Sequence, residues 1–387
     1  MYKLSWVFAW FISISMFATN PHGSNHPNSS ISFTPVRIME ATPVKSQGRS
    51  STCWSFSGMS FFESEMMRKG KPEVELSEMF VVRMVYLAKA VKYVRMHGTV
   101  AFPAGGAFSD PLYVLREYGL LPRSAYEGNT YAPDAPINHG ELDEILQAYV
   151  QAVVKNKNKS LTEVWLKGFE RVLDTYLGPL PSSFSYNKKQ LSRPEDFRRE
   201  SGLDASDYIS LTSFSHHPFY GQFAIEVPDN WSWDLSYNLP LNEFMETVWN
   251  ALSNGYSLAW ASDVSDPGFQ HKFGLAVVPK NDISSLKGQE LEDFFMKPVE
   301  EREINQTMRQ KDFDTYVTTD DHGMHAMGLV KDQTGKRYIV VKNSWGAESN
   351  SCGGYLYVSE NFFALRTLSI LLHKDAIPST IRKKLAI

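Results

Sequence analysis

Cys53 is one of two cysteines in 387 residues, and its surroundings suit a nucleophile. It stands in Pro43–Phe56 (P-V-K-S-Q-G-R-S-S-T-C-W-S-F), after a polar loop and just before an apolar run. Phe56, Met59, Phe62 and Met66 recur at helical spacing and predict a helix over Phe56–Arg68. A cysteine in the first turn of a helix feels the partial positive charge of the unpaired N–H groups there. That favours the thiolate, which is the reactive form. Gln47, six residues upstream, can place an amide N–H beside the cysteine's own N–H and form a two-donor oxyanion hole. The competing reading of Cys53 is a small buried hydrophobe, so the assignment requires a base.

The far end of the chain supplies one. D-D-H-G-M-H-A-M-G-L-V contains His322 and His325, and Y-I-V-V-K-N-S-W-G contains Asn343 and Trp345. A Cys–His mechanism needs an imidazole on the sulfur and a third group on the other ring nitrogen, fixing tautomer and rotation. His325 is taken as the imidazole because it leads directly into an apolar strand, whereas His322 reads as part of an Asp/Gly loop. Asn343 can accept the ring N–H through its carbonyl oxygen, and Trp345 can screen that bond from water.

The elements that must position these groups fall into two halves. Helices are expected over Phe56–Arg68, Leu76–Val94 and Pro111–Tyr118, with a loop between the last two whose Gly105 and Gly106 allow close approach to a ligand. From about 141 to 238 the chain reads as a mainly helical insertion. Leu142, Ile145, Leu146, Tyr149 and Val153 form one apolar stripe, and Leu161, Val164, Trp165, Phe169, Val172, Leu173 and Tyr176 form another. A helix over Leu241–Leu252 then leads to strands at Tyr256–Ala261, His325–Val330, Tyr338–Lys342 and Gly354–Val358. The expected division is a leader and helical lobe over 20–140, the insertion over 141–238, and a β-rich lobe with tail over 239–387.

Composition is that of an ordinary globular chain, 43% hydrophobic and 21% charged. A net charge of −4 gives no electrostatic reason to expect nucleic acid. Lys3 followed by apolar Leu4–Ala18 reads as a signal peptide over residues 1–19, hence export; an uncleaved membrane anchor is the alternative. After cleavage no integral membrane contact is expected. No metal or organic cofactor is implied, and His216–His217 reads as loop without partners. Both cysteines are expected to be reduced.

Q-G-R-S-S-T-C-W-S-F, M-H-A-M and K-N-S-W-G, in this order, resemble the papain-like cysteine peptidases. The resemblance implies an α+β, two-lobed papain-like fold with a large, mainly helical insertion. It implies Cys53 as nucleophile, His325 as base and acid, Asn343 as orienter and Gln47 in the oxyanion hole, acting on peptides. His325 lies far beyond the usual distance of roughly 130–150 residues from the cysteine. That enlargement, with V-E-L-S-E-M-F, S-Y-N-L-P-L-N-E-F-M and the C-terminal L-H-K-D-A-I-P-S-T-I-R-K-K-L-A-I, resembles the bleomycin hydrolase / aminopeptidase C branch. That branch implies a homo-hexamer and a terminal carboxylate, here that of Ile387, pairing with the substrate α-amine in the cleft. An aminopeptidase is therefore expected, with an open-cleft endopeptidase or an inactive binding homologue as alternatives.

Overall fold

The structure is a computed structural model and describes residues 23–387 apart from 103, 132–134 and 159. The segment Leu4–Ala18 and its expected cleavage site lie outside the described residues. Strand β1 (Phe33–Ile38) leads into helices α1 (Cys53–Arg68), α2 (Glu78–Arg95) and α3 (Ser109–Glu117). Ser77 caps α2 by accepting the Phe80 N–H, with Glu78 in the first turn to complement the dipole. Helices α4 (Gly140–Val154) and α5 (Val164–Leu177) follow. Their Leu142, Leu146, Val150, Phe169, Leu173 and Leu177 are buried in the same core as α1 and α2.

The rest of the 141–238 segment departs from a mainly helical insertion. After hairpin β2 (Phe184–Tyr186) and β3 (Lys189–Leu191) and helix α6 (Pro194–Ser201) come β4 (Tyr208–Thr212), β5 (Gln222–Ala224) and β6 (Leu235–Asn238). Y-I-S-L-T is a strand-forming run, and β4 pairs with a strand from the far end of the chain, a partner that local periodicity cannot reveal.

Helix α7 (Leu241–Ser253) precedes β7 (Leu258–Ser262), β8 (Phe269–Gln270) and β9 (Leu275–Ala276). Helices α8 (Gly288–Phe295) and α9 (Gln306–Asp314) lead to β10 (His322–Asp332), β11 (Arg337–Lys342) and β12 (Tyr355–Ser359). Helix α10 (Glu360–Arg366), β13 (Thr367–His373) and α11 (Ser379–Leu385) complete the chain. The sheet runs β5-β6-β4-β13-β7-β10-β11-β12-β9-β8, with β1 added on β10. The fold is α+β, as the sequence predicts. Among the described residues no helix is long and apolar enough to cross a membrane.

One side of this sheet packs on α1 and the other on α7. Leu258, Trp260, Met324 and Ala326 share a core with α7, whereas Ala259 and Ala261 belong to the core of the helical half. Helix α11 docks on the α7 side: Ile381 and Leu385 are buried in that core, and Lys384 pairs with Glu243 at 2.8 Å. The Ile387 N–H bonds the Arg382 carbonyl.

Candidate active site

Helix α1 begins at Cys53, and the loop before it is closed on itself. Ser50 donates to the Gln47 carbonyl at 2.7 Å and shares a hydrogen bond with the Thr52 hydroxyl. Thr52 makes no side-chain cap bond to α1, and no acceptor among the described residues takes the Cys53 N–H. The first turn thus keeps donors available beside the sulfur.

Strand β10 meets that turn through Gly323. A Cβ there would lie 3.0 Å from the Phe108 ring and 3.3–3.4 Å from the Trp54 backbone. The missing side chain lets strand and helix touch. Ser57 donates to the Gly323 carbonyl at 2.7 Å, and the Gly323 N–H reaches the Cys53 sulfur.

The imidazole on Asn343 is that of His322. Its Nε2 lies 2.7 Å from Asn343 Oδ1, and its Nδ1 makes no hydrogen bond among the described residues. His325, the expected base, is turned the other way. β10 begins at His322, so that residue is strand rather than loop. Residues three apart on a strand point to opposite faces. His325 pairs in register with Lys342 and faces α1, where it is fully buried with Nδ1 2.9 Å from Ser60 Oγ. Ser60 is seven residues along α1 from Cys53, roughly 10 Å at the helical rise. His322 and Asn343, each one residue out of phase with that pair, meet at the start of β10, where the next residue, Gly323, touches the first turn of α1.

The K-N-S-W run distributes its side chains over the site. Ser344 donates to Gln47 Oε1 at 2.6 Å, and its carbonyl accepts the Gln47 N–H at 2.8 Å. With its oxygen held, Gln47 presents its NH₂ as the donor end, as an oxyanion hole requires. Trp345 lies over His322 with ring centroids 4.8 Å apart. Gly105 and Gly106 make their close approaches to the protein itself: Cβ atoms there would strike Asp229 and Asp110. Two participants escaped the sequence reading. Ser344 holds Gln47, and His271 contacts Asn343 Nδ2 at 3.1 Å. The only signal for Ser344 was its place between Asn343 and Trp345, and His271 had none.

Burial pushes the Cys53 thiol up to about 12, opposed by the Gly323 and Trp54 N–H groups and reinforced by Asp320 and Asp229. Burial lowers His322 to about 4, while the Asn343 bond and Asp321 pull it upward. Burial thus disfavours charge on both groups. Asp320 is itself raised to about 7, by burial and then by Asp229 and Asp321. It also lines a narrow recess with Phe108, Val227, Ala261 and Leu368.

Beneath the site, Glu63 joins Lys45 at 3.0 Å and accepts the Leu76 N–H at 2.7 Å. Lys342 donates to Ser60 at 2.8 Å and Thr42 at 3.1 Å. Both cysteines are free, and Cys352 is buried against the Asn25 carbonyl. His216 and His217, expected to lack partners, both bond Glu226 through Nε2, at 3.0 and 2.8 Å. The three residues are close enough to hold a metal. Gln310 Nε2, however, donates to His216 Nδ1, which keeps the proton on Nε2 and its lone pair unavailable.

The profile of the Peptidase C1-like family matches residues 24–386. The chain belongs to that family. It is a cysteine-type peptidase. Aminopeptidase C of Lactobacillus delbrueckii subsp. lactis is 24% identical over 385 residues, spanning 88% of this chain and 81% of that protein. Aminopeptidase G of the same organism is 22% identical, over 86% of this chain and 80% of its own. The crystal structure of PepW from Lactobacillus rhamnosis superposes with a TM-score of 0.70 at 18% identity, covering 91% of this chain and 84% of that one. That likeness is one of fold, and it runs across both halves and the segment between them.

Proposed function

We propose that this C1-like peptidase is a thiol aminopeptidase working through Cys53, His322 and Asn343. The His322–Asn343 bond carries the reading, because it leaves one imidazole nitrogen free at the nucleophile helix. Cys53 passes its proton to His322 and its sulfur attacks the peptide carbonyl. The carbonyl oxygen takes up the charge between the Cys53 N–H and the Gln47 NH₂. His322 then protonates the leaving amine as the C–N bond breaks, giving a thioester. Water, deprotonated by His322, releases the acid and restores the thiol.

The preference for a free N-terminus is supported by the names of the relatives and by the acid side of the cleft. Asp320 and Asp229 act on the Cys53 sulfur, and a substrate α-ammonium would offset their repulsion. A second reading is a papain-like endopeptidase with an open cleft. Cleavage of aminoacyl fluorogenic amides against the same compounds with acylated N-termini separates the two. Turnover of free amines alone supports the aminopeptidase; equal turnover supports the endopeptidase. Export, suggested by Leu4–Ala18, is tested by fractionating cells that express the full chain.

A further inference from the structure

We infer that His271 is a positioning residue for the catalytic pair, fixing the rotamer of Asn343 from behind. This inference rests on the peptidase reading above. An asparagine side chain can present either its oxygen or its NH₂ to a neighbour, and only the oxygen can receive the His322 Nε2–H. Asn343 Nδ2 lies 3.1 Å from His271 Nδ1, and His271 Nε2 lies 2.8 Å from Ser349 Oγ. Ser349 in turn donates to the Gly346 carbonyl at 2.6 Å, so its hydroxyl oxygen is left to accept from His271. The proton of His271 therefore sits on Nε2, and Nδ1 offers a lone pair to the Asn343 NH₂. With the amide rotated the other way, the Asn343 oxygen would face a lone pair and its NH₂ would face a donor.

The ring is held as well as bonded. His271 opens the turn His271–Phe273, between the edge strand β8 and its neighbour β9. It stands edge-on to Trp345 with centroids 4.6 Å apart, and Asn350 binds its carbonyl at 3.0 Å. Trp345 thus shields both histidines of the relay. Burial, then the neighbouring His322, lowers His271 to about 4, so it remains the neutral acceptor the relay requires. Asn343 Oδ1 also receives the Ser344 N–H at 2.7 Å, which helps to aim it but leaves the Nδ2 side to His271.

The test compares His271→Leu, which removes the acceptor, with His271→Asn, whose Oδ1 occupies the place of Nδ1. His271→Gln, whose oxygen sits one atom further out, is a second loss variant should the leucine not fold. The readouts are kcat/KM on an aminoacyl amide and the pH profile of Cys53 alkylation by iodoacetamide. Loosening Asn343 weakens its support of the imidazolium. The expected result is a loss on the order of tenfold in kcat/KM for Leu and Gln, the worth of one hydrogen bond. The upper pKa of the alkylation profile should fall in both, with Asn restoring wild-type behaviour to within about twofold. In an Asn343→Ala background, His271→Leu should cost nothing further, since the two act as one unit. A wild-type alkylation profile in His271→Leu, or additive losses in the double variant, overturns the proposal. Because alkylation needs no peptide, a wild type that cleaves no peptide would sink the functional reading while leaving this one to be judged by the profile.

Discussion

At the residue scale, burial opposes charge on both members of the proposed catalytic pair. Cys53 is held up by burial and by Asp320 and Asp229, and His322 is held down by burial. Removing one negative charge should tilt the balance toward the thiolate. Asp320→Asn is therefore expected to raise the rate of Cys53 alkylation at pH 7 by several-fold. The same change should narrow the preference for free over acylated N-termini, because the partner of the α-ammonium is weakened. A slower alkylation rate in Asp320→Asn would mean that the acids act on the pair through His322 instead. The proposal keeps Cys53, Gln47 and Asn343 from the sequence, where each lies in a short run whose chemistry is local. The choice between His322 and His325 was not legible there. It depended on where β10 starts, and a strand boundary misplaced by three residues exchanges one face for the other.

At the element scale, the proposed mechanism requires β10 to lie close to the first turn of α1. Gly323 is the point of contact, tight against Phe108 and the Trp54 backbone. Gly323→Ala should force the strand away by a few tenths of an ångström. The expected cost is about 1–2 kcal/mol in stability, read by denaturant unfolding, and a larger proportional loss in kcat/KM. Unchanged kinetics in this variant would show that the junction has slack. The helices and strands of both halves were largely legible, since α1, α7 and β11 carry their own periodic or β-branched patterns. The pairing of β4 with β13, and the reach of Ser344 to Gln47, join residues more than 150 positions apart. No local pattern encodes such meetings.

At the scale of the whole molecule, the buried charges should make stability respond to pH in two opposing ways. Asp320 and Asp110 are raised to about 7 by burial, so their contribution is fully present below pH ~4 and is lost as pH rises through 7. His139, His271 and His322 are lowered to about 4, again by burial. Their contribution is present above pH ~6.5 and is lost as pH falls through 4. The wild-type profile should accordingly be shallow between these limits, and a single variant isolates one part of it. Asp320→Asn should match wild type in Tm near pH 4 and exceed it by on the order of a few degrees at pH 8. Equal Tm values at pH 8 would place Asp320 in a better-solvated setting than its recess suggests. The docked α11 belongs to this scale too: the run Ile377–Leu385 carries the apolar residues that anchor it to α7, yet the sequence alone did not say against which face.

The most direct measurement is kcat/KM on an aminoacyl fluorogenic amide for His322→Ala and His325→Ala, beside Cys53→Ala and wild type under reducing conditions. His322→Ala should lose on the order of a thousandfold or more, as Cys53→Ala does, while remaining folded. His325→Ala should stay within a few-fold of wild type in kcat/KM and lose stability instead, since a buried ring leaves a cavity over Ser60 and Phe61. The reverse outcome, with His325→Ala inactive and His322→Ala active, would contradict the assignment of the pair at the centre of this site.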